Sequence, residues 1–389
     1  MNTQKKILFV CYGLGIGGIE KCLVNLLNVL PENRYSVDIL LMNPEYAMKP
    51  QIKRNVRYLD TFSYVLNIED TLDEIRKRKG ILCNLKLFAK YVLFRLRIKM
   101  GFPAWTVFKP LPDRYDIAVA YSQNGFAPYY VIDKVKADRK VLWYHNGAYE
   151  RAGKEYERDK DYYNKFNYIV AVSSDCAKVL QRKFNFDDSK LLILRNICNF
   201  RYVRERALDF VPATYTRAQF HIATVGRLTS EKGADIALQT CYRLCREGVD
   251  VCWHWIGDGN QAPAIRKKIQ QYGLQERFLL EGNQTNPYPF MFRADIYVQP
   301  SYYEAYSTTV TEAKVLCKAI ITTDVGGMRD QLLNGKTGLI VPIDVNAITN
   351  AIRTLLKDEK LRESFSARLR DESYDSADVL SAYEDTVFA

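Results

Sequence analysis

At 389 residues the chain has room for two domains of ordinary size, each burying its own core. Its hydrophobic fraction of 48% is ordinary globular composition, outside the disordered and fibrous classes. The net charge of +11 points to an anionic partner, whether nucleotide, nucleic acid or acidic membrane surface.

The nine cysteines are odd in number and form no C-x-x-C pair. Several lie in apolar, strand-like surroundings, so they are expected to be reduced core thiols of a cytosolic protein. The apolar run at 7–11 is too short for a signal peptide or a transmembrane span, and none is expected.

Taken in chain order, short apolar runs predict strands at 7–12, 36–42, 116–121, 139–144, 168–172 and 191–194. A second set follows at 220–226, 250–256, 277–280, 295–299, 319–323 and 338–341. Helical patterns separate most of them, at 19–30, 69–79, 83–99, 174–184, 234–247, 261–272, 308–317 and 346–357. This alternation predicts an α/β chain with two doubly wound, Rossmann-like domains facing across a cleft. The boundaries fall at 1–200, 201–365 and a C-terminal helical segment, 366–389, expected to pack back on the N-terminal domain. Ligands of such sheets sit beyond the carboxyl ends of the strands.

The first strand runs into Gly13-Leu14-Gly15-Ile16-Gly17-Gly18, a literal G-x-G-x-x-G. A dinucleotide site also needs an acidic residue at the end of the second strand, and here Asp38 lies near that strand's start. Glycines at a helix start nevertheless let backbone N–H groups approach a pyrophosphate. After the strand at 220–226 comes Arg227-Leu228-Thr229-Ser230-Glu231-Lys232-Gly233, with two cations placed to reach the same crevice. Gly257-Asp258-Gly259 and Glu281-Gly282-Asn283 also follow strands, where they can shape a nucleoside pocket. Asp258 is expected to stabilise its own turn.

The most informative stretch is Glu304-Ala305-Tyr306-Ser307-Thr308-Thr309-Val310-Thr311-Glu312. Ser307, Thr308 and Thr309 supply an N-cap and first turn whose free N–H groups point at an anion. A carboxylate beside an anion site suits a ligand carrying hydroxyls next to phosphate, which suggests a nucleotide sugar.

In this order and at these separations, the motifs resemble the retaining glycosyltransferases of family 4, which have the GT-B architecture. The likeness runs nearly end to end. It takes in Gly15-x-Gly17-Gly18, Val225-Gly226-Arg227 with Lys232, Gly257-Asp258-Gly259, Glu304 with Glu312, Gly326-Gly327 and the stretch from Asn334 to Pro342. One departure is Ala305-Tyr306-Ser307, where the family usually has Gly-Phe-Gly.

The resemblance implies an N-terminal acceptor-binding domain and a C-terminal domain for a nucleotide-sugar donor, most simply a UDP-sugar. Arg227, Lys232 and the helix start at Ser307–Thr309 would stabilise the departing diphosphate. Glu304 would hold sugar hydroxyls and Glu312 ribose hydroxyls. His145, followed by Asn146-Gly147 at a strand end, would contact the sugar. Gly15, Gly17, Gly18, Gly226, Gly257, Asn283 and Tyr306 would line the donor site. Neither a cofactor nor a metal is implied, and Asp159-Lys160-Asp161, the one D-x-D, reads as solvated surface.

Residues 76–99 hold nine Lys and Arg and no acidic side chain. At about 100° per residue, Lys86, Lys90 and Arg97 fall within about 40° of one another, while Arg95 and Lys99 lie on the opposite side, so the amphipathic pattern is imperfect. Resting on an anionic bilayer, this segment would bring the enzyme to a polyprenyl-diphosphate-linked glycan at the cytoplasmic membrane face. Two other functions fit less well. An epimerase acting on nucleotide sugars would need more acidic and histidine groups around the sugar. A nucleic-acid-binding protein would show a recognised motif, and none is present.

Overall fold

The computed structural model describes residues 4–42, 46–59, 89, 92–93, 95–97, 99–100, 102–216, 218–372, 374 and 376–389. Two parallel sheets organise it. The first contains β1 (Lys5–Cys11), β2 (Tyr35–Leu41), β3 (Arg57–Leu59), β4 (Arg114–Ala120), β5 (Lys136–Tyr144), β6 (Tyr168–Ala171) and β7 (Leu191–Ile193). The second contains β8 (Phe220–Val225), β9 (Val251–Ile256), β10 (Phe278–Gly282), β11 (Ile296–Gln299), β12 (Ala319–Thr323) and β13 (Leu339–Val341). Their orders are β3-β2-β1-β4-β5-β6-β7 and β10-β9-β8-β11-β12-β13. Each reverses direction once, between β1 and β4 and between β8 and β11, and these switch points are where such sheets leave a crevice for ligand.

Both faces of each sheet are covered, which explains the unbroken apolar runs. In β1, Ile7 and Phe9 enter one core while Leu8 and Val10 enter the other. Ile296 and Val298 of β11 likewise face away from Tyr297. Every predicted strand is present.

One strand is additional. β3 is a three-residue edge whose Arg57 pairs with Asp38 of β2 at 2.5 Å. Asp38 also accepts from Tyr115 Oη at 2.8 Å, so it serves the sheet rather than a ribose. The helix expected at 69–79 lies outside the described residues. Of that expected at 83–99, residues 89, 92–93, 95–97 and 99 are described, and they are helical.

Short helices at Ala127–Lys134 and Tyr288–Arg293 were not anticipated. Each carries proline in its first turn, which reads as a breaker yet fits there because that N–H would go unpaired anyway. The last helix, Ser376–Glu384, lies against Gly18–Val29, and Tyr383, Val387 and Phe388 enter the first sheet's core. Arg139 holds the chain end through the carbonyls of Thr386, Val387 and Ala389.

The D-x-D stretch corrects one expectation. Asp161 is at the surface with Lys165, but Asp159 is fully buried. Its carboxylate accepts from Tyr129, from Tyr149 Oη at 2.8 Å and from Arg151 Nη1 at 3.0 Å. Paired donors make that burial tolerable.

Candidate active site

At the second sheet's switch point, β8 ends in a loop stacked on the loop after β9. Gly226 N–H donates to the Ile256 carbonyl at 2.9 Å, and the Gly226 carbonyl accepts from Trp255 Nε1 at 2.9 Å. Gly257 sits at φ +139°, and a Cβ there would lie 2.1 Å from the Gly226 oxygen, so only glycine lets the two loops meet. Asn283 accepts the Asp258 N–H at 3.0 Å, while Asp258 accepts the Gly259 N–H at 2.8 Å and so braces its own turn. Gly226, Gly257 and Asn283 thereby shape the loop that presents Arg227 and Lys232.

These two cations part company. Lys232 Nζ lies 2.6 Å from Glu304 Oε1 in a closed environment. Arg227 is exposed and reaches Glu231 at 3.4 Å.

Glu304 follows β11 and the Pro300-Ser301 turn, and it is 8% exposed. Its Oε1 also accepts from Ser301 Oγ at 3.0 Å and Gln299 Nε2 at 3.3 Å. Gln299 is fixed in turn by Tyr297 Oη at 2.7 Å and Thr309 Oγ1 at 3.1 Å. The helix Thr308–Val315 begins beside this carboxylate, with Ser307 as N-cap. Gln331 clamps that start, accepting the Ser307 N–H at 2.8 Å and donating to its carbonyl at 2.7 Å. The result is a buried carboxylate, a buried ammonium and a helix N-terminus in one place, an arrangement suited to hydroxyls next to an anion.

The first sheet closes over this group. Gly15 is buried within the glycine loop, and Gly17 is the N-cap of the helix Gly18–Val29. A Cβ at Gly18 would lie 3.4 Å from Thr308 Oγ1, so the two helix starts face each other. One turn on, Lys21 Nζ lies 2.5 Å from Glu312 Oε1 and 4.7 Å from the centre of the Tyr288 ring. Burial works against the Lys21 charge, but the Glu312 carboxylate outweighs it and raises the pKa. Lys21 escaped notice in the sequence because a lone lysine on an amphipathic helix looks like solvated surface. Its one signal is its place a turn after Gly17-Gly18.

His145 extends β5. Its N–H donates to Gln123 Oε1 at 3.0 Å, its ring lies 5.1 Å from that of Tyr121, and its Nε2 is buried with no partner among the described residues. Burial pushes its pKa down to about 3, so the ring is neutral. Two residues later, a Cβ at Gly147 would lie 3.0 Å from the Glu304 carbonyl oxygen, which brings the His145 loop against the Glu304 loop. Tyr306 is placed differently from the donor contacts, for its ring packs against the first sheet's core beside Ala305.

A cavity of about 60 Å³ on the first-sheet side is lined by Tyr12, Glu20, Tyr121, Ser122 and Asn124. Far from the cleft, the ligand atoms of His221, Cys252 and His254 lie within 4.8 Å of one another. There His221 Nδ1 and His254 Nε2 are already hydrogen-bonded at 2.9 Å, and His254 Nδ1 is bonded to Glu281 at 2.8 Å. These imidazoles satisfy each other within the core.

Comparison with known proteins follows the same lines. Residues 216–372 match the family model "Glycosyl transferases group 1". The chain is 25% identical over 382 residues, 97% of each protein, to the N-acetylgalactosamine-N,N'-diacetylbacillosaminyl-diphospho-undecaprenol 4-alpha-N-acetylgalactosaminyltransferase of Campylobacter jejuni. It is 30% identical over 165 residues to the capsular polysaccharide biosynthesis glycosyltransferase CapM of Staphylococcus aureus, covering 41% of this chain and 43% of CapM. Among solved structures, Anabaena HepE in complex with UDP and glucose superposes with a TM-score of 0.73 at 16% identity, over 99% of this chain and 100% of that one. With its two facing parallel sheets and these likenesses, the chain is a glycosyltransferase of GT-B fold whose second half carries a group 1 glycosyl transferase domain.

Proposed function

We propose that the chain is a retaining, metal-independent glycosyltransferase of family 4. It would move a hexose or N-acetylhexosamine from a UDP-sugar to a hydroxyl of a polyprenyl-diphosphate-linked glycan in surface polysaccharide synthesis. The observation that carries this is the Lys232–Glu304 pair at 2.6 Å beside the helix start at Ser307–Thr309. Lys232 and the helix start stabilise charge growing on the leaving diphosphate, and Arg227 joins them by leaving Glu231. The hydrogen bonds of Glu304 converge on Oε1, which leaves Oε2 for donor-sugar hydroxyls, while Glu312 takes the ribose hydroxyls. The leaving phosphate assists deprotonation of an acceptor arriving on the same face, so neither carboxylate serves as a covalent nucleophile. His145, neutral, contacts the sugar as a hydrogen-bonding group.

The lipid-linked acceptor draws support from the name of the Campylobacter relative and from the basic run at 76–99. No helix among the described residues is long and apolar enough to cross a membrane. We place the enzyme at the cytoplasmic face as a peripheral protein. The stereochemistry is tested by following the anomeric proton by NMR during turnover of an α-linked UDP-sugar. Retention predicts an α-linked product from the first turnover, and a β-linked product would overturn the assignment.

A further inference from the structure

Among the described residues, Lys21 is the one lysine that reaches from the first sheet's helices to a buried carboxylate of the second, at 2.5 Å from Glu312 Oε1. The same oxygen accepts from Tyr288 Oη at 3.2 Å, and the Tyr288 ring lies beneath the ammonium. Glu312 is 2% exposed, yet its second oxygen, Oε2, is buried with no hydrogen-bond partner among the described residues. A carboxylate with one oxygen doubly served and the other desolvated and idle is costly by itself. The cost disappears once a hydroxyl donor arrives at Oε2. The ammonium has a second consequence, since it fixes the Glu312 rotamer.

The contact also spans the cleft. Gly18 against Thr308, Gly147 against Glu304, and Ser174 donating to Asp330 at 2.7 and 2.8 Å join the same two halves. Lys21 can meet Glu312 only when these surfaces are together.

We propose that Lys21 is a positioning residue that clamps Glu312 so that its free oxygen receives the ribose diol of the donor, tying recognition of the nucleoside to closure of the cleft. This rests on the nucleotide-sugar assignment above. A purely structural ion pair would affect stability but treat ribose and deoxyribose nucleotides alike, so discrimination between them is the diagnostic readout.

Isothermal titration with UDP and GDP identifies the nucleotide that binds, and the 2′,3′-dideoxy form of that nucleotide is then compared with it. Hydrogen bonds to a charged group are worth about 1.5–3 kcal/mol, so the wild type should prefer the ribonucleotide by roughly tenfold or more. Lys21→Met should reduce the preference to about threefold or less, and Lys21→Arg should restore most of it. Lys21→Gln carries the same comparison should methionine destabilise the fold. A wild type that discriminates alongside an uncharged Lys21 variant that discriminates equally overturns the role of Lys21 and leaves the donor assignment standing. A wild type that binds the nucleotide without discriminating overturns it as well. A wild type that binds neither UDP nor GDP overturns the donor assignment and this inference together.

Discussion

Glu304 and Lys232 share one buried hydrogen bond, so removing either leaves the other without its countercharge and takes away a group aimed at the donor. Glu304→Gln and Lys232→Ala should each lower kcat by about 10²-fold or more, as loss of a transition-state donor does at comparable oxyanion sites. Steady-state kinetics with the natural donor measures this.

His145 offers a different residue-scale test. Its pKa of about 3 leaves the ring neutral in the native state, whereas the unfolded chain takes up a proton near the ordinary value. This places no burden on stability at neutral pH and a growing one as the pH falls from about 6.5 towards 3. Histidine-selective NMR should show a neutral ring down to about pH 4, and a midpoint near 6.5 would contradict the buried placement. A ring with so low a pKa does not serve as a general base near neutrality.

These residues were legible to differing degrees. Glu304 and Lys232 stood out because a carboxylate and a lysine in loops after strands have no packing reason to be there, and Glu312 because it lies in the helix that starts beside Glu304. Lys21 did not stand out, because only the fold reveals that its neighbour is a carboxylate of the other half. Tyr306 is the less direct case: its position beside Glu304 suggests ligand, while its ring packs against the first sheet's core.

At the scale of elements, the Glu304 loop depends on the loop after β12. Gly326 sits at φ +41°, and a Cβ there would lie 1.6 Å from the Glu304 carbonyl oxygen, an overlap with backbone that no rotamer relieves. Gly326→Ala should therefore cost about 2 kcal/mol or more, lower Tm by several degrees and reduce activity together with it. Calorimetry alongside kinetics checks both. A variant with unchanged Tm would show that the loops are not packed as described.

The strands were readable because parallel sheets covered on both faces force continuous apolar runs, as at Ile7–Val10. Some of the elements that escaped take their stability from elsewhere, although the helix Phe200–Arg206, also not anticipated, has no such mark. β3 rests on an Arg57–Asp38 pair, and the helices at Ala127–Lys134 and Tyr288–Arg293 hide behind first-turn prolines. Asp159 was read as solvated because a helix rich in charge has no apolar stripe to announce its buried side. Only the folded chain brings Tyr129, Tyr149 and Arg151 to its carboxylate.

At the scale of the whole molecule, the two halves meet through Lys21–Glu312, Ser174–Asp330 and the Tyr306 ring, so they enclose one closed cleft. The proposed link to a bilayer is the basic run at 76–99. In flotation with anionic liposomes, a Lys86/Lys90/Arg97→Glu variant should partition less than wild type, and equal partitioning would remove the membrane role.

The central claim is that the Glu304–Lys232 pair grips a nucleotide sugar. Its most direct test is nucleotide release from a panel of UDP- and GDP-sugars, comparing wild type with Glu304→Gln. The predicted result is slow release from one or a few donors by the wild type and a fall of about 10²-fold in the variant. No release from any donor, or equal release by both proteins, would contradict it.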